Sequence, residues 1–74
     1  MRFSHSEVIQ ILAAGGGVRM GLGRFTAHEV TQLAGAAARG NARLVLIDLG
    51  RLTHHELIQI GSAGNGRVEF DFES

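Results

Sequence analysis

The sequence predicts an α/β fold: three helix-strand repeats forming a short solenoid, with a three-stranded parallel sheet and the helices on one side. Three observations carry this expectation. A detailed pattern occurs three times, a glycine-rich stop follows each copy, and an apolar segment of strand length follows each stop. The copies are Phe3-Ser4-His5-Ser6-Glu7-Val8-Ile9-Gln10-Ile11, Phe25-Thr26-Ala27-His28-Glu29-Val30-Thr31-Gln32-Leu33 and Leu52-Thr53-His54-His55-Glu56-Leu57-Ile58-Gln59-Ile60. Such self-similarity is the mark of stacked units, each of which buries its apolar face against the next. The single repeat domain, 1–74, divides into units of approximately 1–23, 24–50 and 51–74.

Each helix start has a physical specification. Ser4, Thr26 and Thr53 stand where an N-cap hydroxyl accepts from the third amide of a helix. Glu7, Glu29 and Glu56 stand where a carboxylate reaches back to the amide of the cap, completing three capping boxes. The apolar residue before each cap (Phe3, Phe25, Leu52) and the one after each Glu (Val8, Val30, Leu57) are the two ends of a hydrophobic staple. Apolar residues then recur at helical spacing: Val8, Ile11 and Leu12; Val30, Leu33, Ala34 and Ala37; Leu57 and Ile60. Gly15-Gly16-Gly17, Gly40-Asn41 and Gly64-Asn65-Gly66 stop the helices.

The strands are expected at Val18 to Leu22, Leu44 to Leu49 and Val68 to Phe72. In the third, Val68, Phe70 and Phe72 alternate with Arg67, Glu69 and Asp71, as in a sheet with one wet side. The first alternates more weakly through Val18, Met20 and Leu22. The second, Leu44-Val45-Leu46-Ile47, is apolar on both faces, which suits a central strand flanked by neighbours or a sheet whose outer face is also covered, without indicating which face packs against the helices. Helical crossovers between successive strands require parallel pairing and right-handed connections.

The segment Leu44-Val45-Leu46-Ile47-Asp48-Leu49-Gly50-Arg51-Leu52-Thr53-His54-His55-Glu56-Leu57 resembles the strand-turn-helix part of a leucine-rich repeat, chiefly the varieties with a full helix on the convex side. The likeness covers the second and third units. It departs from the family pattern at the turn after the strand, where Leu49 stands in place of Asn or Cys. The resemblance implies a curved repeat protein that binds other proteins.

Composition narrows the chemistry. The chain has 74 residues, enough for one small core that removes about 60% of the unfolded surface from water. Seven Arg balance seven acidic residues and there is no Lys, so there is no electrostatic footprint for nucleic acid or an anionic membrane. The absence of Cys excludes disulfides, thiolate metal sites and a cysteine nucleophile. No apolar run approaches the roughly 18 residues that span a bilayer, and a soluble, cytoplasmic protein is expected.

Four His invite a metal reading: His5, His28, His54 and His55. His28 and His55 precede the capping-box Glu, a first-turn position that normally faces solvent. His55-Glu56 opens a zinc-protease motif, but Gln59 stands where the second His is required. The glycines from Gly15 to Gly23 precede a strand where a phosphate loop would follow one, and no Lys accompanies them. Asp48, Glu69 and Asp71 read as surface charge. No enzymatic activity, cofactor or metal is expected. Gln10, Gln32 and Gln59 recur at one position, so stacking would align them either as a bonded ladder or as a simple exposed row.

Function is therefore expected from architecture. Solenoids normally end in polar caps, whereas Ile9 and Ile58 stand in the outer units at the position Thr31 occupies in the middle. The chain also begins at Arg2-Phe3-Ser4, in phase with Arg24-Phe25-Thr26 and Arg51-Leu52-Thr53, and finishes at the close of the third strand. The leading expectation is a structural protein that self-associates head to tail into filaments or tubes, through Phe3, Ile9, Ile58, Val68, Phe70 and Phe72. The alternative is a small protein-binding module, regulatory or toxin-neutralising, that uses the sheet face bearing Leu44 and Leu46, or else Val45 and Ile47.

Overall fold

A computed structural model describes residues 3–23 and 25–72, so Arg2 and Arg24, which open the first two units, lie outside the described residues. The elements run α1 (His5–Ala13), β1 (Val18–Gly21), α2 (Ala27–Gly40), β2 (Leu44–Ile47), a 3-10 turn (Leu49–Arg51), α3 (His54–Gly64) and β3 (Val68–Phe70).

All three capping boxes form. The Ser4 hydroxyl accepts from the Glu7 amide at 3.2 Å while Glu7 Oε1 accepts from the Ser4 amide at 2.9 Å. Thr26 with Glu29 repeats this at 3.1 and 2.9 Å, and Thr53 with Glu56 at 3.2 and 2.8 Å. The N-cap dihedrals coincide, with φ of −76°, −79° and −82° and ψ of 163°, 165° and 164°. The same side-chain chemistry thus aims the chain into each helix at the same angle.

The sheet order is β1-β2-β3 and both pairings are parallel, with Val18, Leu44 and Val68 in register, then Arg19, Val45 and Glu69, then Met20, Leu46 and Phe70. Two right-handed crossovers that advance in the same direction place α2 and α3 on one face. α1 packs beside α2 and α3 packs on its other side. The pleat then decides what the sequence left open. Met20, Leu44 and Leu46 turn toward the helices and are buried with Leu12, Leu33 and Ile60, whereas Arg19, Val45, Ile47 and Glu69 point to the outer face. On that outer face Arg19 pairs with Asp71 at 3.3 Å and Arg43 pairs with Glu69. Both pairs are exposed and contribute little to stability.

The strands are shorter than their apolar runs. β2 ends at Ile47 because Asp48 adopts a left-handed conformation (φ 62°) that leads into the 3-10 turn, so Leu49 is buried without being part of the strand. Leu22 is likewise buried just after β1, and Phe72 lies beyond β3.

The helices stop within the expected segments, with Asn as well as Gly in the left-handed position. α1 closes as a Schellman motif, with Gly15 at φ 98°, its amide donating to Leu12 and the Gly16 amide donating to Ile11. In α2 the same two bonds run from Asn41 to Ala38 and from Ala42 to Ala37, and Asn41 takes the left-handed position (φ 56°). In α3, Asn65 and Gly66 are both left-handed and Arg67 donates back to the Gly64 carbonyl. Gly40 serves a different purpose. A Cβ there would overlap the Leu12 carbonyl oxygen and come within 2.9 Å of Ala13 Cα, so glycine permits α2 to touch the backbone of α1.

Replacing Gly40 with Ala should lower stability by about 2 kcal/mol or more, while Gly50→Ala, which meets no atom within 4 Å, should leave it unchanged or slightly raised. Urea titration followed by circular dichroism measures both. Removing a cap hydroxyl by Thr26→Ala should cost about 1 kcal/mol in the same assay. An unchanged midpoint would show that the capping box is not holding α2.

Candidate functional site

Among the described residues the large apolar side chains left exposed are Phe3, Ile11, Ile58 and Phe72. Their placement follows from helix and strand geometry. Ile11 aligns with Leu33 and Ile60, both fully buried, while it is itself 39% exposed. Among the described residues no helix precedes α1. Phe3 aligns with Phe25 and Leu52, which pack against the core, yet Phe3 is 55% exposed. At the opposite end, Ile58 is 53% exposed on α3 and Phe72 is 72% exposed after β3. The four residues divide two and two between the first and last units.

This arrangement corrects part of the sequence expectation. Ile9 and Ile58 align, but that position faces the following unit, so Ile9 packs against the core in a groove it shares with Thr31, Gln32, Gly35 and Arg39 of α2. Only Ile58 is open to solvent in that position. Val68 and Phe70 are also partly buried against the core. Ile11, absent from the expected set, is exposed on the first helix, where the sequence shows it as one more apolar residue.

The sheet edges lie at the same two ends. In the order β1-β2-β3, β1 and β3 are both edge strands, and each presents a row of backbone donors and acceptors away from β2. A groove runs by β1, lined by Phe3, Arg19, Met20, Gly21, Leu22, Gly23, Phe25 and Asp48. Two of its walls are glycine. The β3 edge carries Glu69 and the β1 edge carries Arg19 at the register position in line with it.

The alternative binding face is corrected by burial. Leu44 and Leu46 are fully buried beneath the helices, because inner-pleat residues of the central strand lie under the helix layer and between two neighbouring strands, and they are not available to a partner. Val45 and Ile47, the other face, are half-buried on the outer side.

The four His have separate surroundings. His5 is partly buried, its Nε2 is 3.0 Å from the Glu29 carbonyl oxygen, and its ring meets Phe25 edge-on at 5.5 Å. It clips the start of α1 to the start of α2, a role that sequence spacing did not reveal. His28 lies 3.4 Å from the Gln32 amide nitrogen, and the rings of His54 and His55 meet edge-on at 6.0 Å. Among the described residues no group of three His, Asp or Glu stands together as a metal site. Gln10, Gln32 and Gln59 are exposed, and no hydrogen bond joins them to one another among the described residues.

Arg51 adds a second tie between units, donating to the carbonyls of Gly23 at 2.8 Å and Phe25 at 3.0 Å. It satisfies acceptors in the turn that precedes α2. No described helix is long and apolar enough to cross a membrane. Comparison with protein-family models, with curated proteins and with solved structures finds no match to this chain.

Proposed function

We propose that this chain is a non-enzymatic structural protein that self-assembles head to tail. On this reading its three units are a short solenoid, and the third unit of one copy docks on the first unit of the next, extending into filaments or tubes. The observation that carries the reading is the division of the exposed apolar side chains. Phe3 and Ile11 lie at one end and Ile58 and Phe72 at the other, and within the chain the residues aligned with Phe3, Ile11 and Ile58 meet a neighbouring unit or the core.

The docked arrangement repeats contacts already made inside the chain. The β3 edge of one copy would pair in parallel with the β1 edge of the next, placing Glu69 opposite Arg19. Arg67 stands next to Glu69 on the same edge and offsets part of that attraction. Phe72 would enter the groove beside Gly21 and Gly23, where a ring can approach the backbone. Ile58 would meet α1 of the next copy as Ile9 meets α2, and Ile11 of that copy would be covered as Leu33 is within the chain.

Burying four half-exposed apolar side chains contributes roughly 1–2 kcal/mol each, and a strand pairing adds about 1 kcal/mol per bond. Association costs roughly 4–15 kcal/mol, so each junction would be modest and the assembly concentration-dependent. The outer sheet face offers less to a partner protein, since Val45 and Ile47 are half-buried and the Arg19–Asp71 pair bridges over β2.

Two end variants test the reading. Ile58→Asp removes the last-unit surface, Ile11→Asp removes the first-unit surface, and each alone should sediment as a monomer. Mixed, they retain one intact junction between them and should give a 1:1 heterodimer that grows no further. If Ile58→Asp alone still forms a dimer, the contact is not head to tail. If wild type stays monomeric at the highest concentrations reached in sedimentation, self-assembly is wrong.

A further inference from the structure

We infer that His54 sets the register of the head-to-tail junction, its Nε2 meeting the main-chain carbonyl of Glu7 and its ring edge meeting Phe3 of the next copy. The inference rests on the self-assembly reading above and names the contact that would align it.

The template is inside the chain. His5, first residue of α1, reaches across to α2, with Nε2 3.0 Å from the Glu29 carbonyl oxygen. Its ring lies 5.5 Å from that of Phe25 at an interplanar angle of 80°. The partners of His5 are thus the third residue of the next helix and the apolar residue before the cap of that helix. The aligned residues of the first unit are Glu7 and Phe3.

The donor recurs once. At the first position of α2 stands Ala27, so the contact between α2 and α3 is made without an imidazole. At the first position of α3 the imidazole returns as His54, and among the described residues no helix follows α3 to receive it. His54 is exposed, and among the described residues its ring meets that of His55, edge-on at 6.0 Å. At the other end Phe3 is 55% exposed, whereas Phe25, which His5 covers, is partly buried. A second copy stacked in sequence therefore brings together an unused donor and an uncovered ring at the spacing His5 and Phe25 already display.

The geometry asks for Nε2–H, which both the protonated ring and one neutral tautomer provide. A Glu7 carbonyl within α1 already accepts from its own helix, and its second lone pair is open to the imidazole, as in the Glu29 case. One such bond together with an edge-to-face ring contact would set association by on the order of ten-fold.

The 1:1 pair of end variants isolates one junction, formed by the last unit of the Ile11→Asp chain and the first unit of the Ile58→Asp chain. Sedimentation equilibrium gives its dissociation constant. Adding His54→Ala to the Ile11→Asp chain should weaken the pair about ten-fold, whereas the same change in the Ile58→Asp chain, outside the junction, should have no effect. Phe3→Ala in the Ile58→Asp chain should also weaken it, and combining it with His54→Ala across the junction should cost less than the two separate losses together. Thermal unfolding of each variant should match that of its parent, since His54 and Phe3 are exposed. A heterodimer that forms with unchanged affinity after His54→Ala, or strictly additive losses, overturns the inference and leaves head-to-tail assembly standing. Failure of the pair to form at all overturns both.

Discussion

The spacing conflict between strands and helices governs this small fold. Neighbouring strands lie about 4.8 Å apart, whereas packed helices need roughly 8–10 Å between axes. With one helix for each strand on a single face, the helix layer is wider than the sheet and the stack must fan. The chain limits that mismatch by making α2 thin. Ala34, Ala36 and Ala37 are fully buried, and Gly40 lets its backbone meet that of Leu12 and Ala13. Larger side chains along α2 would push α1 and α3 outward and open the inner layer over Leu44 and Leu46.

A middle helix this thin shifts the burden of burial to the residues between helix and sheet. Leu12, Leu33 and Ile60 provide it from the helices, and Met20, Leu44 and Leu46 from the strands. The outer sheet face is left to half-buried Val45 and Ile47 under exposed ion pairs. The fold therefore has one covered face, one lightly covered face and two ends. Apolar area that the first two cannot use collects at the ends, on Phe3, Ile11, Ile58 and Phe72.

On the proposed reading, those ends are one interface divided into two halves. The same constraint then acts on the assembly. A fan that continues from copy to copy curves, so the rotation between successive copies determines whether it closes into a ring or winds into a tube. Besides the exposed ion pairs of the outer sheet face, two side chains among the described residues tie one unit to another through main-chain acceptors: His5 to the Glu29 carbonyl, and Arg51 to the Gly23 and Phe25 carbonyls. Both use long side chains to satisfy main-chain acceptors at the helix starts, where the capping boxes hold the backbone in one conformation. A fixed acceptor is what allows such a contact to specify register.

Local chemistry made much of this legible in the sequence. The three capping boxes and the helix faces follow from residue types at fixed offsets within a few residues of chain, and the parallel pairing follows from the helix that separates each strand from the next. What stayed hidden depended on neighbours far along the chain. The burial of Leu44 and Leu46 rather than Val45 and Ile47 follows from which pleat the helices cover, and an all-apolar strand carries no mark of that choice. Ile9 and Ile58 share one position in the pattern, yet one is packed and the other exposed, because a helix face has meaning only relative to the helix beside it. His5 looks like any solvated first-turn residue until α2 brings the Glu29 carbonyl and Phe25 to it. The sequence by itself determined where the three helices begin, through hydrogen bonds and staples between residues three to five apart. Tertiary structure alone decided which surfaces remain open, since exposure is a property of what stands opposite.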